Sequence, residues 1–301
     1  MAVAIFGDLG AGKLAQVAQN SAHVPAFGLI ALLVLLWRRP RTLQPLASLH
    51  WHNYFVALGI AIAFGVLVEI VQFFLGRDAE VDDVIHDALG AVAALAAIAS
   101  IAALGAKRRT LAVVLFVLSM ATASAALYPL ALATAAYVKR ERQFPLLVEF
   151  DSTPDTFFWR PNTTDPKVMQ MPANLASVSG ETALYVPFVH GSYPGIEIEE
   201  VHGDWSGLHS LVLDVANPSA KPVRLTLRVH DRTHNFAFRD RFTRSVQVPA
   251  GRRINFEIAL ADIEAAPQGR SMDMRHISAV LIFSTESAPG AGVLLKHLWL
   301  K

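Results

Sequence analysis

Two runs of the chain, residues 53–68 and 88–106, carry no charged side chain, and a dense polar cluster lies between them. The stretch from Glu69 to Gly90 reads EIVQFFLGRDAEVDDVIHDALG and holds six acidic residues, a glutamine, an arginine and a histidine. Few folds accommodate that pattern. A helix needs about 20 apolar residues to cross a bilayer. Charges set between two such helices are either a short polar turn or a site in a membrane protein, where ionisable groups are costly and functional by default. Both readings apply here.

Four apolar segments, 15–37, 53–75, 84–106 and 111–138, are therefore expected to build an all-α transmembrane four-helix bundle. They lack the polar stripe of an amphipathic soluble helix. From about residue 144 the composition becomes that of an ordinary soluble domain, so the 53% hydrophobic average conceals two unlike halves. The expected domains are 1–142 and 143–301. A formal net charge of +1 with no basic block gives no case for nucleic acid. The absence of cysteine excludes disulfides, thiolate metal sites and a Cys nucleophile. The first twenty residues read as a short leader: they lack signal-peptide charge order, and GDLGAGK lacks phosphate-loop spacing.

Basic residues set the orientation. Arg38, Arg39, Arg41, Lys107, Arg108 and Arg109 fall on one side, and Lys13, Arg77, Lys139, Arg140 and Arg142 on the other. Basic loops stay cytoplasmic, which narrowly puts the Glu69–Asp87 turn and the carboxyl half outside. Trp51, between His50 and His52 on the opposite side, reads as a membrane-surface anchor. In an up-down bundle His23, Glu69, Gln72, Arg77, Asp82, Asp83 and His86 gather at one mouth. Three readings stay open. Asp82 and Asp83 can favour a helix amino end while Glu69 pairs with Arg77. The group can form a pocket in which Arg77 binds anions and Glu69 or His86 acts as acid or base. Imidazole and carboxylates can also hold a divalent metal.

The order His23-x-x-x-Phe27, Glu69-x-x-Gln72, Arg77, Asp82 or Asp83, His86 and Gly90 resembles the VanZ-like family of small bacterial membrane proteins over about residues 15–138. The resemblance implies a multi-pass protein of the bacterial inner membrane and cell-envelope biology. The namesake is associated with low-level teicoplanin resistance, and the family has no assigned reaction.

In the carboxyl half, LLVEFD, TALYVPF, GIEIEE, SLVLDVAN, VRLTLRVHD, TRSVQVPAG, RINFEIAL, ISAVLIFS and VLLKHLWL alternate with turn residues and predict an all-β sandwich, with a helical turn over 259–265. Within 224–229, Leu225, Leu227 and Val229 face one way and Arg224, Thr226 and Arg228 the other. The stretch from His230 to Phe242 is read as a loop that packs acids, imidazoles and aromatics together. Saccharide surfaces need flat rings and hydrogen-bonding groups. His230, Asp231, His234, Asn235, Phe236, Phe238, Asp240 and Arg241 supply both, and Trp205 is either a further platform or a core plug. DWSGLHSLVLDVANPSAKPVRLTLRVHD, the DRF turn, PAGRRINFEI and VLLKHLWL resemble galactose-binding-like jelly rolls of carbohydrate-binding modules over about 146–301. That resemblance allows a structural calcium at Asp231, Asn235 and Asp240; no other cofactor is expected.

The expected function is a membrane protein whose periplasmic or extracellular jelly roll binds a polysaccharide or lipid-linked glycan, beside membrane lipids. Two alternatives are a membrane enzyme using Glu69 or His86 and a scaffold for envelope-assembly proteins.

Overall fold

The computed structural model describes residues 12–38, 51–76, 81–162, 164–189, 192–286, 288 and 290–301. The chain divides into two compact units, Met1–Thr134 and Ala135–Lys301.

The first unit is built from α1 (Lys13–Trp37), α2 (Trp51–Phe74), α3 (Val81–Gly105) and the start of α4 (Arg109–Gln143). All four helices are long and apolar enough to cross a membrane. The first reaches that length because 15–22 extends it, as expected. Their packing is inverted relative to a soluble bundle. Large side chains such as Leu33, Phe55, Leu67 and Phe116 are exposed, while Ala31, Ala57, Ala61 and Ala91 are fully buried. In lipid, outward apolar residues cost nothing, and helices associate by close backbone approach across small residues. The α1–α3 crossing carries this furthest. A Cβ on Gly90 would lie 2.2 Å from the Val24 carbonyl oxygen, and one on Gly28 would lie 3.2 Å from the Gly90 carbonyl oxygen. Ser119 and Ser100 bond α4 to α3 through the Ala93 and Ala112 carbonyls at 2.8 and 2.7 Å.

The second unit is a two-sheet sandwich. Its strands are β1 (Leu146–Glu149), β2 (Trp159–Asn162), β3 (Lys167–Gln170), β4 (Thr182–Pro187), β5 (Gly195–Glu199), β6 (Ser210–Ala216), β7 (Val223–Asp231), β8 (Phe242–Val248), β9 (Arg253–Ala259), β10 (Ile277–Phe283) and β11 (Gly292–Leu300). One sheet runs β3-β4-β11-β6-β9 with β1 also paired to β11, and the other runs β2-β5-β10-β7-β8. All the pairings are antiparallel, and most consecutive strands from β4 onward change sheet, which is jelly-roll connectivity. The nine expected strands are all present, and a short helix, α5 (Leu260–Glu264), stands where the helical turn was expected. The edge strands β2 and β3 were not foreseen. β2 holds a proline, tolerated at an edge, and β3 is exposed at all four residues, so neither shows a buried alternation. Between the sheets, Phe150, Leu184, Ile196, Leu213, Leu227 and Ile282 belong to one continuous core.

The second unit begins at Ala135, ahead of the expected 142/143 boundary, because the last turns of α4 are fastened to the sandwich. The Tyr137 hydroxyl donates to the Glu200 carboxylate. Lys139 lies 3.1 Å from Glu149 and 3.2 Å from Asp155. The Arg140 guanidinium stacks 3.8 Å above the Phe158 ring and donates to the Glu200 carbonyl at 2.6 Å. Lys139 and Arg140, counted above as flanking charges, are thus structural residues of the second unit.

Candidate functional site

Within the bundle, the buried polar centre is a pair that only half of the sequence pattern foresaw. His23 on α1 donates from Nδ1 to Oδ1 of Asp87 on α3 at 2.9 Å, and the Asp87 side chain is 1% exposed. Asp87 fits there because Gly65 on α2 has no side chain; a Cβ at Gly65 would sit 2.5 Å from Asp87 Oδ2. That Oδ2 is buried with no hydrogen-bond partner among the described residues, as is Asp83 Oδ1 one turn before it. Glu69, one turn beyond Gly65, lies on the same buried face of α2. The His23 ring stacks on Phe27, which in turn meets Phe64.

The expected mouth is therefore brought together only in part. His23 and Glu69 lie on buried helix faces and Asp83 turns one oxygen inward, whereas Asp82 is exposed and Gln72 is half-buried. His86 spends Nδ1 on the Asp82 carbonyl of its own helix at 2.7 Å. Arg77 and His50 lie outside the described residues. Asp87 was missed because it was read as the close of a loop. Helix α3 starts at Val81, and its buried stripe runs through Asp87, Gly90 and Ala91, not through His86. The i, i+3, i+4 spacing was the available signal.

In the sandwich, the stretch from His230 to Phe242 divides into strand ends and a clamped loop. His230 and Asp231 end β7, and Phe242 begins β8. Arg270 holds both ends of the loop between them. Its guanidinium bonds both oxygens of Asp231 at 2.5 and 2.9 Å and Oδ1 of Asp240 at 2.6 Å. Burial pushes the Asp231 carboxyl up, but Arg270 and the Asp273 amide more than offset it and leave it below the ordinary range. Asp240, held first by Arg270 and then by the Asn235 amide, drops to about 2.

These contacts bear on three readings of the sequence. Asp231 and Asp240 are buried and occupied by a guanidinium, so they do not face a sugar. Asn235 Oδ1 accepts the Ala237 amide at 2.9 Å, so each of the three residues named for calcium bonds the protein itself through a side-chain oxygen. Among the described residues no group of three or more His, Asp or Glu is placed to hold a metal ion. Trp205 is a core plug at 1% exposure, its Nε1 directed at the His202 carbonyl.

What the clamp presents is the outer face of the β2-β5-β10-β7-β8 sheet and the aromatics beside it. Register places Arg160, Glu197, Leu281 and Arg228 in one row across that face. Glu199, Ala279 and His230 form the next row, and Asn162, Gly195, Phe283, Thr226 and Ser245 another. Gly195 is required, since a Cβ would lie 2.2 Å from the Ile282 carbonyl oxygen. The Tyr193 ring meets Phe283 edge-on at 5.5 Å, and the Arg228 guanidinium lies 4.9 Å from the Phe283 ring. His230 stacks on His234 at 4.7 Å, His234 touches Phe236, and Arg241 covers Phe238 at 4.9 Å.

Phe236 is 90% exposed, Phe238 71% and Tyr193 52%. Phe236 and Tyr193 have φ of +66° and +63°, the left-handed region that bulky residues avoid. Such strain persists where surrounding structure imposes it, commonly at ligand clamps. Burial, and then the charge of Arg241, pull the Arg228 guanidinium below its ordinary pKa. Burial and then His234 lower the His230 imidazole. Sequence reading found the loop half of this face but not Tyr193, Phe283, Arg228 or Glu197, which come from the turn before β5, from β10, from β7 and from β5.

Residues 3–103 match the VanZ/LLP1 family model, which takes in α1, α2 and nearly all of α3, so the amino-terminal domain is VanZ-like. No curated protein matches the sequence. Several solved structures resemble the carboxyl half. An exo-beta-agarase is 16% identical over 52% of this chain with a TM-score of 0.40, and the match spans only 24% of that protein's length. The family 11 carbohydrate-binding module from Clostridium thermocellum, in complex with a beta-1,3-1,4-mixed-linked tetrasaccharide, is 12% identical over 52% of this chain and 93% of its own, with a TM-score of 0.37. The CBM22-1 xylan-binding domain from Paenibacillus barcinonensis is 16% identical over 52% and 92%, with a TM-score of 0.36. They transfer no residue role to this chain.

Proposed function

We propose that this chain is a multi-pass envelope-membrane protein that holds a polysaccharide or lipid-linked glycan on the outer face of its five-stranded sheet, on the extracytoplasmic side. One observation carries the reading: Tyr193 and Phe236, both exposed and both at positive φ, stand beside a face lined with Arg228, His230 and Glu197. Flat rings match the apolar faces of sugars, and the polar side chains match their hydroxyls. The test uses the full chain in lipid nanodiscs against an array of saccharides. Tyr193→Ala and Phe236→Ala should each weaken binding about tenfold, in the range of lost stacking, with thermal stability retained. Failure to bind any saccharide would refute the reading. Protease access to 143–301 in intact spheroplasts tests the side of the membrane.

A second reading has one observation in its favour, the buried His23–Asp87 pair. A carboxylate that accepts from Nδ1 fixes the imidazole tautomer and leaves Nε2 as a base. In this reading the bundle performs acid–base chemistry on an envelope substrate, with His23 in the role first given to His86. Glycopeptide susceptibility of cells producing His23→Ala, Asp87→Asn or His86→Ala discriminates: only the first two should abolish an effect of the protein.

A further inference from the structure

We propose that the glycan held on this face is anionic, and that Arg228 and Arg241 together bind a carboxylate or sulfate on it. This rests on the glycan reading above and narrows it to a chemical class. At the rim of the face Arg160 pairs with both Glu197 and Glu199, each at 2.8 Å. The arginines further in differ. Among the described residues Arg228 and Arg241 have no ion pair within 4 Å, and each buries an Nε–H with no acceptor.

Leaving a buried donor unpaired is costly, more so when it is charged. Arg228 stands opposite Thr243 on β8 and Arg241 lies two residues before it, so the two donors together mark a missing acceptor. Both guanidiniums lie over aromatic rings, Arg228 over Phe283 and Arg241 over Phe238, each at 4.9 Å. Guanidinium forks suit bidentate binding of a planar or trigonal oxyanion. Their mutual repulsion, which already lowers the Arg228 pKa after burial does, is relieved by an anion between them. A neutral sugar hydroxyl could satisfy one N–H but not the charge. The positive φ at Phe236 and the Arg270 clamp keep the Phe238–Arg241 side of the site in place before any ligand arrives.

The experiment uses the full chain in phosphatidylcholine nanodiscs at physiological salt. Sodium polygalacturonate and dextran sulfate are the anionic probes, dextran is the neutral control, and phosphatidylglycerol vesicles are the lipid control. We expect at least one anionic polymer to bind about tenfold or more tighter than dextran. Arg228→Gln and Arg241→Gln should each reduce that binding about tenfold, the scale of one charge-assisted contact. Arg275→Gln, an exposed arginine beside Asp204, should leave it unchanged, which separates a site from general attraction of polyanions. Melting curves confirm that each variant is folded. Equal binding of dextran, unaffected by either glutamine variant, would overturn this inference while sustaining the glycan reading. Binding of phosphatidylglycerol vesicles alone, or of nothing, would overturn both.

Discussion

Replacing Gly90 by alanine tests the packing that sets the bundle. A Cβ there would meet Val24 at 2.2 Å from its carbonyl oxygen, 2.8 Å from Cα and 2.9 Å from the carbonyl carbon, all backbone atoms that no rotamer can move. Ordinary carbon contacts need about 3.5 Å, so α1 and α3 must part by about 1 Å at the level of the His23–Asp87 bond. Overpacking of this sort costs about 1–3 kcal/mol, and with rigid backbone on one side the upper end applies. The better helix propensity of alanine offsets about 1 kcal/mol, leaving a net loss of about 2 kcal/mol. Gly59→Ala is the matched control, because its Cβ would meet nothing within 4 Å; it gains the propensity without the clash. Gly28→Ala, with neighbours at 3.2 and 3.3 Å, should fall between them. SDS titration in mild micelles, followed by circular dichroism, gives the ranking. Nitrogen NMR of the His23 imidazole reports whether the bond to Asp87 loosens. The reasoning is refuted if Gly90→Ala unfolds with the wild type, or if Gly59→Ala loses as much.

Arg270→Gln removes the partner of the fully buried Asp231; breaking such a pair costs about 3–5 kcal/mol when both groups are buried, and about 2 kcal/mol is expected here because Arg270 is 28% exposed. Melting temperature and new proteolytic cleavage within 232–241 measure it, and an unchanged loop would sink the clamp. Asp240 and Glu181 both sit at about 2, the second through Arg253, so their contribution is complete above the ordinary carboxylate range and is lost as the pH falls toward 2. A melting series should show this acid loss, and the Glu181→Gln, Asp240→Asn double variant should lose less over that window than the wild type, the remainder coming from other lowered carboxylates such as Asp231. Phe236→Gly should raise stability by about 1 kcal/mol by relieving positive-φ strain, while saccharide binding falls. A drop in melting temperature would show that the ring has a packing role instead.

The alternation of Leu225, Leu227 and Val229 against Arg224, Thr226 and Arg228 was enough to orient β7, because a strand with one buried face cannot slip register without burying charge. The same period-two signal located nine strands, and failed only where an edge strand has no buried face to declare. Site residues were harder to find, since spacing along one helix or strand is visible but pairing between elements is not. His23 was a candidate from the outset. Its partner Asp87 carries no mark of that pairing in the sequence, and only the buried stripe of the helix that starts at Val81 brings it inward.

Sequence alone determined that four segments are apolar beyond what a soluble fold uses, and that the remainder alternates as a β-sandwich. Length, hydropathy and period are local properties of a chain. Tertiary structure alone decided which charges are spent and which remain. Arg270, thirty-nine residues from Asp231, takes the carboxylates that looked like ligands. Arg228 and Arg241, ordinary arginines in the chain, are left with a buried Nε–H each and no acceptor for it among the described residues. Electrostatic pairing depends on distances through space, and those are set by strand order and helix crossing rather than by neighbours in the sequence.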